Sequence, residues 1–400
     1  MSDAIGAPST TLHRGTLEAA GMSASRVRHL TELGAEWVRK GAATGMVLLA
    51  ARRGVIVFHE AFGRLTPDTD SPPAPLDALF PLASISKILT ATALMTLVEE
   101  GRVGLNRPVS GYLPEFQGEG KDKVLVRHLL THTSGIREEE LEKYAEANSG
   151  KVDLLPADPS QHPLLNEYFA ERYRCPLWKA AGEEMSYCDF NFELAGEIVR
   201  RVSQTPLDRF AHARLFQPLG MNDTYFCRVD APRERRTRRV RIPEPVPTPL
   251  TKAMETDRLS FGSGTALSTA QDMAILGQMF LNRGAYGDAR ILSPASVAAM
   301  TRNQIPGVPS TFLEERFREA TWGLGWSVHG SKNGLCGGLY SPASFEHWGF
   351  GGTYVWVDPE NEIVGVYLSA VRDTTPDDPW TQGWMHDLFT DAVTAAVVEP

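Results

Sequence analysis

The chain has 400 residues, 42% of them hydrophobic and 22% charged, which is the composition of an ordinary globular protein large enough to bury a sizeable core. Its net charge of -9 disfavours general nucleic-acid binding, which needs a basic surface. No run of roughly 20 apolar residues is present, so no membrane span is expected.

In chain order, Met1–Leu17 is small and polar and lacks the basic start and apolar stretch of a secretory signal. Residues 1–20 read as a loose leader. A helix is predicted from Ser23, with Val27, Leu30, Leu33 and Trp37 on one side. Two β-type runs follow, Met46–Ala51 and Val55–His59, joined as a hairpin through Arg52-Arg53-Gly54. Ile88–Val98 is apolar nearly all round, as in a buried central helix, and Gly101 is placed to cap its end.

The middle of the chain is predicted to be mainly helical, over 137–147, 190–202 and 206–215, and helical character resumes at 269–283 and 293–301. The pattern then turns to strands at 325–328, 353–358 and 362–369, with a last helix over 380–398. Strands at both ends and helices between them predict an antiparallel sheet built from the two termini and flanked by helices. Cys175, Cys188, Cys227 and Cys336 are scattered without Cys-x-x-Cys spacing, which predicts reduced thiols and a cytoplasmic location.

Three clusters carry chemistry. Ser84-Ile85-Ser86-Lys87 opens the buried helix. Residues i and i+3 share a helix face, so the hydroxyl and amine can meet, and the helix N-terminus points unpaired N–H groups at developing negative charge. Desolvation would lower the Lys87 pKa and free its amine as a base. Taken alone, Ser84 is equally readable as a plain cap with Lys87 in water.

The second cluster is Tyr187-Cys188-Asp189 before a helix. Tyr187 is a useful proton shuttle only if its pKa falls from about 10, which a Lys87 cation would achieve. The bland alternative is that Tyr187 packs under the helix and Asp189 caps it. The third is His347-Trp348-Gly349-Phe350-Gly351-Gly352 beside a strand, where glycine marks close approach of backbone to a ligand and can present an oxyanion-binding N–H. The alternative is a glycine-rich turn with His347 on the surface.

In this order the clusters resemble the serine β-lactamase and penicillin-binding-protein superfamily, nearest to class C β-lactamase-like proteins and family VIII carboxylesterases. Leu129–Gly135, Pro218–Thr224, Gly264–Asp272 and Gly323–Trp326 extend the likeness from about Ser23 to the C-terminal helix. The resemblance implies a β-lactamase-like α/β (α+β) fold: an α/β domain from residues 21–105 and 255–400, a mainly helical domain from 106–254, and a catalytic cleft between them. It implies Ser84 as acylated nucleophile, Lys87 as its partner base, Tyr187 as general base or acid, and the N–H groups of Ser84 and Phe350 as oxyanion donors. Asp189 stands where the family has an amide, and His347-Trp348-Gly349 where it has Lys-Thr-Gly. The family's lysine there helps hold a substrate carboxylate. A histidine is at most partly charged at neutral pH and Trp348 is apolar, so a neutral ester substrate is expected.

No metal or organic cofactor is implied. His128 and His132 have i, i+4 spacing but lack the glutamate of a zinc-protease helix, and a structural role is expected. Gly-x-Ser-x-Gly, Walker A and dinucleotide fingerprints are missing. Arg233–Arg241 with the proline-rich 242–250, and the acidic Glu138–Glu142, read as solvated segments. The expected activity is ester hydrolysis through an acyl-enzyme. Rivals are β-lactam or D-amino-acid peptide hydrolysis, acyl transfer to an alcohol or amine, and a non-catalytic binding protein.

Overall fold

The computed structural model describes residues 10–399 apart from 157, 159, 241–247, 313–314, 331–336 and 372–384. Cys336, Arg241 with the first part of the proline-rich segment, and residues 380–384 of the expected last helix lie outside the described residues.

Strands β1 (His13–Arg14), β2 (Ala43–Arg52), β3 (Val55–Gly63), β4 (Ser327–Val328), β5 (Phe345–Gly349), β6 (Thr353–Asp358) and β7 (Ile363–Val371) form one sheet in the order β1-β3-β2-β7-β6-β5-β4. All neighbours are antiparallel except β1 and β3, which run parallel. The helices that frame the site or the sheet are α1 (Ala24–Arg39), α2 (Ser86–Glu99), α3 (Val126–Leu130), α4 (Glu138–Asn148), α5 (Phe190–Ser203), α6 (Ala270–Leu281) and α7 (His386–Ala395).

The sheet is a middle layer because its strands are apolar on both faces. Val47, Leu49 and Ala51 of β2 enter the larger core, whereas Met46, Leu48 and Ala50 enter the second. The period-2 alternation of the strand makes this division. β6 and β7 divide in the same way, with Val355, Val357, Val364 and Val366 on one side and Tyr354, Trp356 and Tyr367 on the other. Helices α1 and α7 cover the second face, and α6 packs on the first.

The β2–β3 turn is shorter than the predicted three residues. Arg52 ends β2, and Arg53 and Gly54 alone make the turn, with φ of 54° and 78°. Two successive positive φ values match the twist of a tight hairpin. The expected leader also departs from its reading. His13 and Arg14 join the sheet edge, Ala20 and Met22 are buried, and Arg52 donates to the carbonyls of Ala20 and Gly21. An unpaired edge and a buried guanidinium capture a segment whose own composition carries almost no signal.

Helix α2 has little amphipathic character because every residue from Ser86 to Leu97 is buried. It ends as predicted: Gly101 has φ 71°, and the N–H groups of Gly101 and Arg102 bond back to Val98 and Leu97. The start of α2 is stapled from one side. Phe80–Pro81 pairs with Leu267–Ser268, Leu82 N–H donates to Ala266 O (2.8 Å), Ala266 N–H donates to Ser86 Oγ (3.1 Å), and Thr90 Oγ1 donates to Gly262 O (2.7 Å).

Because α2 is core on every side, truncating it leaves a cavity that neighbours cannot fill. Leu94→Ala is expected to destabilise the protein by roughly 2–5 kcal/mol, read as a lower urea midpoint at unchanged slope.

Candidate active site

Ser84 does not lie in α2 itself. It sits in a short 3-10 turn, Ala83–Ile85, that runs straight into the helix. Ala83 is in the left-handed region at φ 45°, a strained position for a residue with a Cβ, of a kind that clusters at functional sites. The turn leaves Ser84 half-buried while Lys87, three residues on, is fully buried.

Lys87 Nζ makes three close polar contacts: Ser84 Oγ at 2.9 Å, the carbonyl of Ser263 at 3.2 Å and Asp189 Oδ1 at 2.7 Å. It also lies 4.9 Å from the centre of the Tyr187 ring. The Tyr187 hydroxyl is buried and has no well-directed hydrogen bond, although Lys87 and Ser84 are both close enough to act on its titration. Ser84, Lys87, Tyr187 and Asp189 are therefore brought together from two distant parts of the chain.

The charges differ from those expected. Burial does oppose the Lys87 cation, but the Asp189 carboxylate and then Tyr187 outweigh it, and the Lys87 pKa rises. The free amine expected from desolvation alone is not the resting form. Burial also raises the Tyr187 phenol; Lys87 pulls it down without prevailing, and Asp189 adds to the rise. Asp189 occupies the cap position of α5 without making a side-chain cap, because its carboxylate is turned to Lys87.

Ser263 is held in turn by a residue the sequence did not single out. Glu193 of α5 accepts the N–H groups of Gly262 (2.8 Å) and Ser263 (3.2 Å), and burial pushes its carboxyl up to about 8.

His132, which the sequence marked for its spacing from His128, is a second supporting residue. It lies beyond the end of α3, at φ 55°. Its carbonyl accepts Ser186 N–H (2.9 Å), its Nδ1 accepts Cys188 N–H (3.1 Å), and its ring stacks on Tyr187 at 4.3 Å. Both neighbours of Tyr187 and the phenol ring are thus fixed by one histidine. The bond from Cys188 puts the proton of the neutral ring on Nε2. His128 Nδ1 accepts Leu125 N–H, so His128 and His132 serve the backbone rather than a metal. The signal was present in the Leu129–Gly135 block, but not its connection to Tyr187.

His347 is not on the surface. It is fully buried in the middle of β5, and its Nδ1 donates to the carbonyl of Trp348 at 2.8 Å, since a carbonyl can only accept. Burial, assisted by Lys87, holds its pKa down to about 3, so the ring is neutral. Nε2 is left as a buried lone pair without a partner. Tyr187, Trp322, His347 and Trp348 form an aromatic group, and Met185, Ile305, Val308 and Ala320 extend it as an apolar wall.

The glycines of the third cluster have two tasks. A Cβ on Gly349 would lie 2.1 Å from the carbonyl oxygen of Leu82, so only glycine lets β5 lie against the turn that carries Ser84. Gly351 and Gly352, at φ 90° and 99°, turn the chain into β6. Phe350, between Gly349 and Gly351, is exposed.

Residues 25–384 match the Beta-lactamase family model. The chain belongs to the beta-lactamase family. It is a serine hydrolase with a β-lactamase-like fold. A provisionally named D-alanyl-D-alanine carboxypeptidase of Salmonella schwarzengrund is 27% identical over 333 residues, covering 74% of this chain and 70% of that protein. A penicillin-binding-protein homologue from Caulobacter crescentus superimposes with TM-score 0.70 at 22% identity, over 94% of this chain and 97% of that one. A family VIII carboxylesterase does so with TM-score 0.68 at 22% identity, over 88% and 94%. Among the described residues no helix is long and apolar enough to cross a membrane.

His132→Ala removes the stacking partner and leaves the Cys188 N–H unpaired. With the reacting groups still present but Tyr187 misplaced, kcat is expected to fall about 100-fold with little change in KM, measured by steady-state kinetics on a variant whose circular dichroism is unaltered.

Proposed function

We propose that this beta-lactamase-family enzyme hydrolyses neutral carboxylic esters through an acyl-enzyme on Ser84. The observation that carries this reading is the approach of Lys87 Nζ to Ser84 Oγ at 2.9 Å beside the Tyr187 ring. Ser84 Oγ attacks the ester carbonyl as its proton passes to the Lys87–Tyr187 pair. The backbone N–H groups of Ser84 and Phe350 receive the oxyanion, and the loss of one such donor typically costs about 3–4 kcal/mol of transition-state stabilisation. The leaving alkoxide takes the proton and departs. Water then repeats the sequence on the acyl-enzyme and releases the acid. In this reading Ser84 and His347 come from the α/β part (21–105 and 255–400), Tyr187 and Asp189 from the helical part (106–254), and substrate enters between them.

The preference for a neutral acyl group rests on the third cluster. A neutral His347 offers a lone pair where a cation would be needed to hold a carboxylate. The apolar wall of Met185, Ile305, Val308, Ala320 and Trp322 favours a hydrocarbon substituent.

The curated relatives favour a second reading, release of a terminal D-amino acid from a peptide. It uses the same acyl-enzyme and differs in requiring recognition of a carboxylate. Acyl transfer is a third outcome, since one neighbour in fold is described as a hydrolase with promiscuous acyltransferase activity.

The expected result is turnover of p-nitrophenyl butyrate without turnover of nitrocefin or of D-alanyl-D-alanine peptides, and loss of esterase activity in Ser84→Ala. Full activity in Ser84→Ala would contradict the acyl-enzyme, and peptide release without ester turnover would replace the reading by the peptidase.

A further inference from the structure

The Lys87 ammonium has three N–H donors and meets three oxygen acceptors: Ser84 Oγ, Ser263 O and Asp189 Oδ1. An ammonium whose donors are all engaged approaches Ser84 as a donor and has no lone pair with which to take the hydroxyl proton. We infer that Asp189 is a positioning residue for the Ser84 reaction: its carboxylate takes up one N–H of Lys87, keeps the amine an ammonium facing Ser84, and so leaves Tyr187 as the acceptor of the Ser84 proton.

This inference deepens the reading of Ser84 as the acylated nucleophile and rests on it. Tyr187 first loses its own proton to solvent, the phenolate being stabilised by the adjacent ammonium. The phenolate takes the Ser84 Oγ proton as the oxygen–carbon bond forms. It returns that proton to the leaving alkoxide as the ester bond breaks and is a phenolate again. Water gives its proton to Tyr187 in the second half, and Tyr187 passes it to Ser84 Oγ as the acyl group leaves. Lys87 stays charged throughout.

The carboxylate works against the first of these steps. A negative charge beside Tyr187 disfavours the phenolate and favours the phenol. The same charge favours the Lys87 cation. Activity should therefore rise toward alkaline pH. Removing the charge while keeping the shape, as in Asp189→Asn, should move the rise toward lower pH.

Burial, followed by Glu138, holds the thiol of Cys188, between Tyr187 and Asp189, well above its ordinary range. His132 beside α3 and His347 on β5 are held neutral by burial and by the Lys87 charge, so neither titrates in the alkaline range. Glu138 of α4 accepts Asp189 N–H at 2.8 Å, and burial followed by Asp189 raises its pKa. Glu193 of α5, at about 8, does titrate near the working range. Glu193→Gln removes that proton and shows which part of a profile belongs to it.

Two measurements test the inference. The first is the pH dependence of kcat/KM on p-nitrophenyl butyrate for wild type and Asp189→Asn, each also in the Glu193→Gln background. The limb is expected to move to lower pH by roughly one to three units in Asp189→Asn. The second needs no turnover: the ultraviolet phenolate titration of Tyr187, read as the difference between Ser84→Ala and Ser84→Ala/Tyr187→Phe, with and without Asp189→Asn. It should move in the same direction. An unmoved limb and an unmoved phenolate titration would overturn the inference, as would a Tyr187→Phe enzyme with an unchanged limb. If wild type hydrolyses no ester, the proposed function fails, and the phenolate titration alone still decides the role of Asp189.

Discussion

A lysine ammonium with no exposed surface holds the site together. Taking such a charge out of water costs several kcal/mol unless its donors are met and an opposite charge is close. Here one contact comes from the turn before α2, one from the cap of α5 and one from the loop before α6. Folding cannot bury Lys87 favourably until all three have arrived. The charge therefore couples the assembly of the site to the assembly of the core around α2.

That requirement accounts for several features that look unrelated in the sequence. Glu193 is buried because the loop at Gly262 and Ser263 must present a carbonyl, and its two N–H groups need an acceptor. His132 takes a left-handed backbone conformation because one residue must reach Ser186, Cys188 and the Tyr187 ring at once. Gly349 lacks a side chain because β5 lies against the carbonyl of Leu82, one residue before the turn that carries Ser84. Each supports a group that could meet substrate without meeting substrate itself.

The strands and the central helix were legible because their burial patterns are local. Short β-type runs marked β2, β6 and β7, and a longer unbroken apolar run marked α2. β1 was not legible, since two residues at a sheet edge have no pattern of their own. Neither was the 3-10 turn that carries Ser84, because its geometry is set by the pairing of Phe80–Pro81 with Leu267–Ser268. In the site, the spacing of Ser84 and Lys87 and the motif order pointed to residues that the fold brings together. The direction of the Lys87 shift did not follow, because burial and an ion pair act oppositely and only coordinates show that Asp189 turns away from its helix to supply the pair. The same local reading left His347 open between surface and core, a choice that the packing of β5 between β4 and β6 decides.

In the proposed function Lys87 activates and orients Ser84 through direct contact. The most direct test of this role is the rate of covalent labelling of Ser84 by a fluorophosphonate, followed by intact-protein and peptide mass spectrometry, in wild type and in Lys87→Met. Wild type should acquire one adduct, on Ser84, and Lys87→Met should label at least about 100-fold more slowly while remaining folded. Labelling of folded Lys87→Met at the wild-type rate, or an adduct on another residue, would contradict the account.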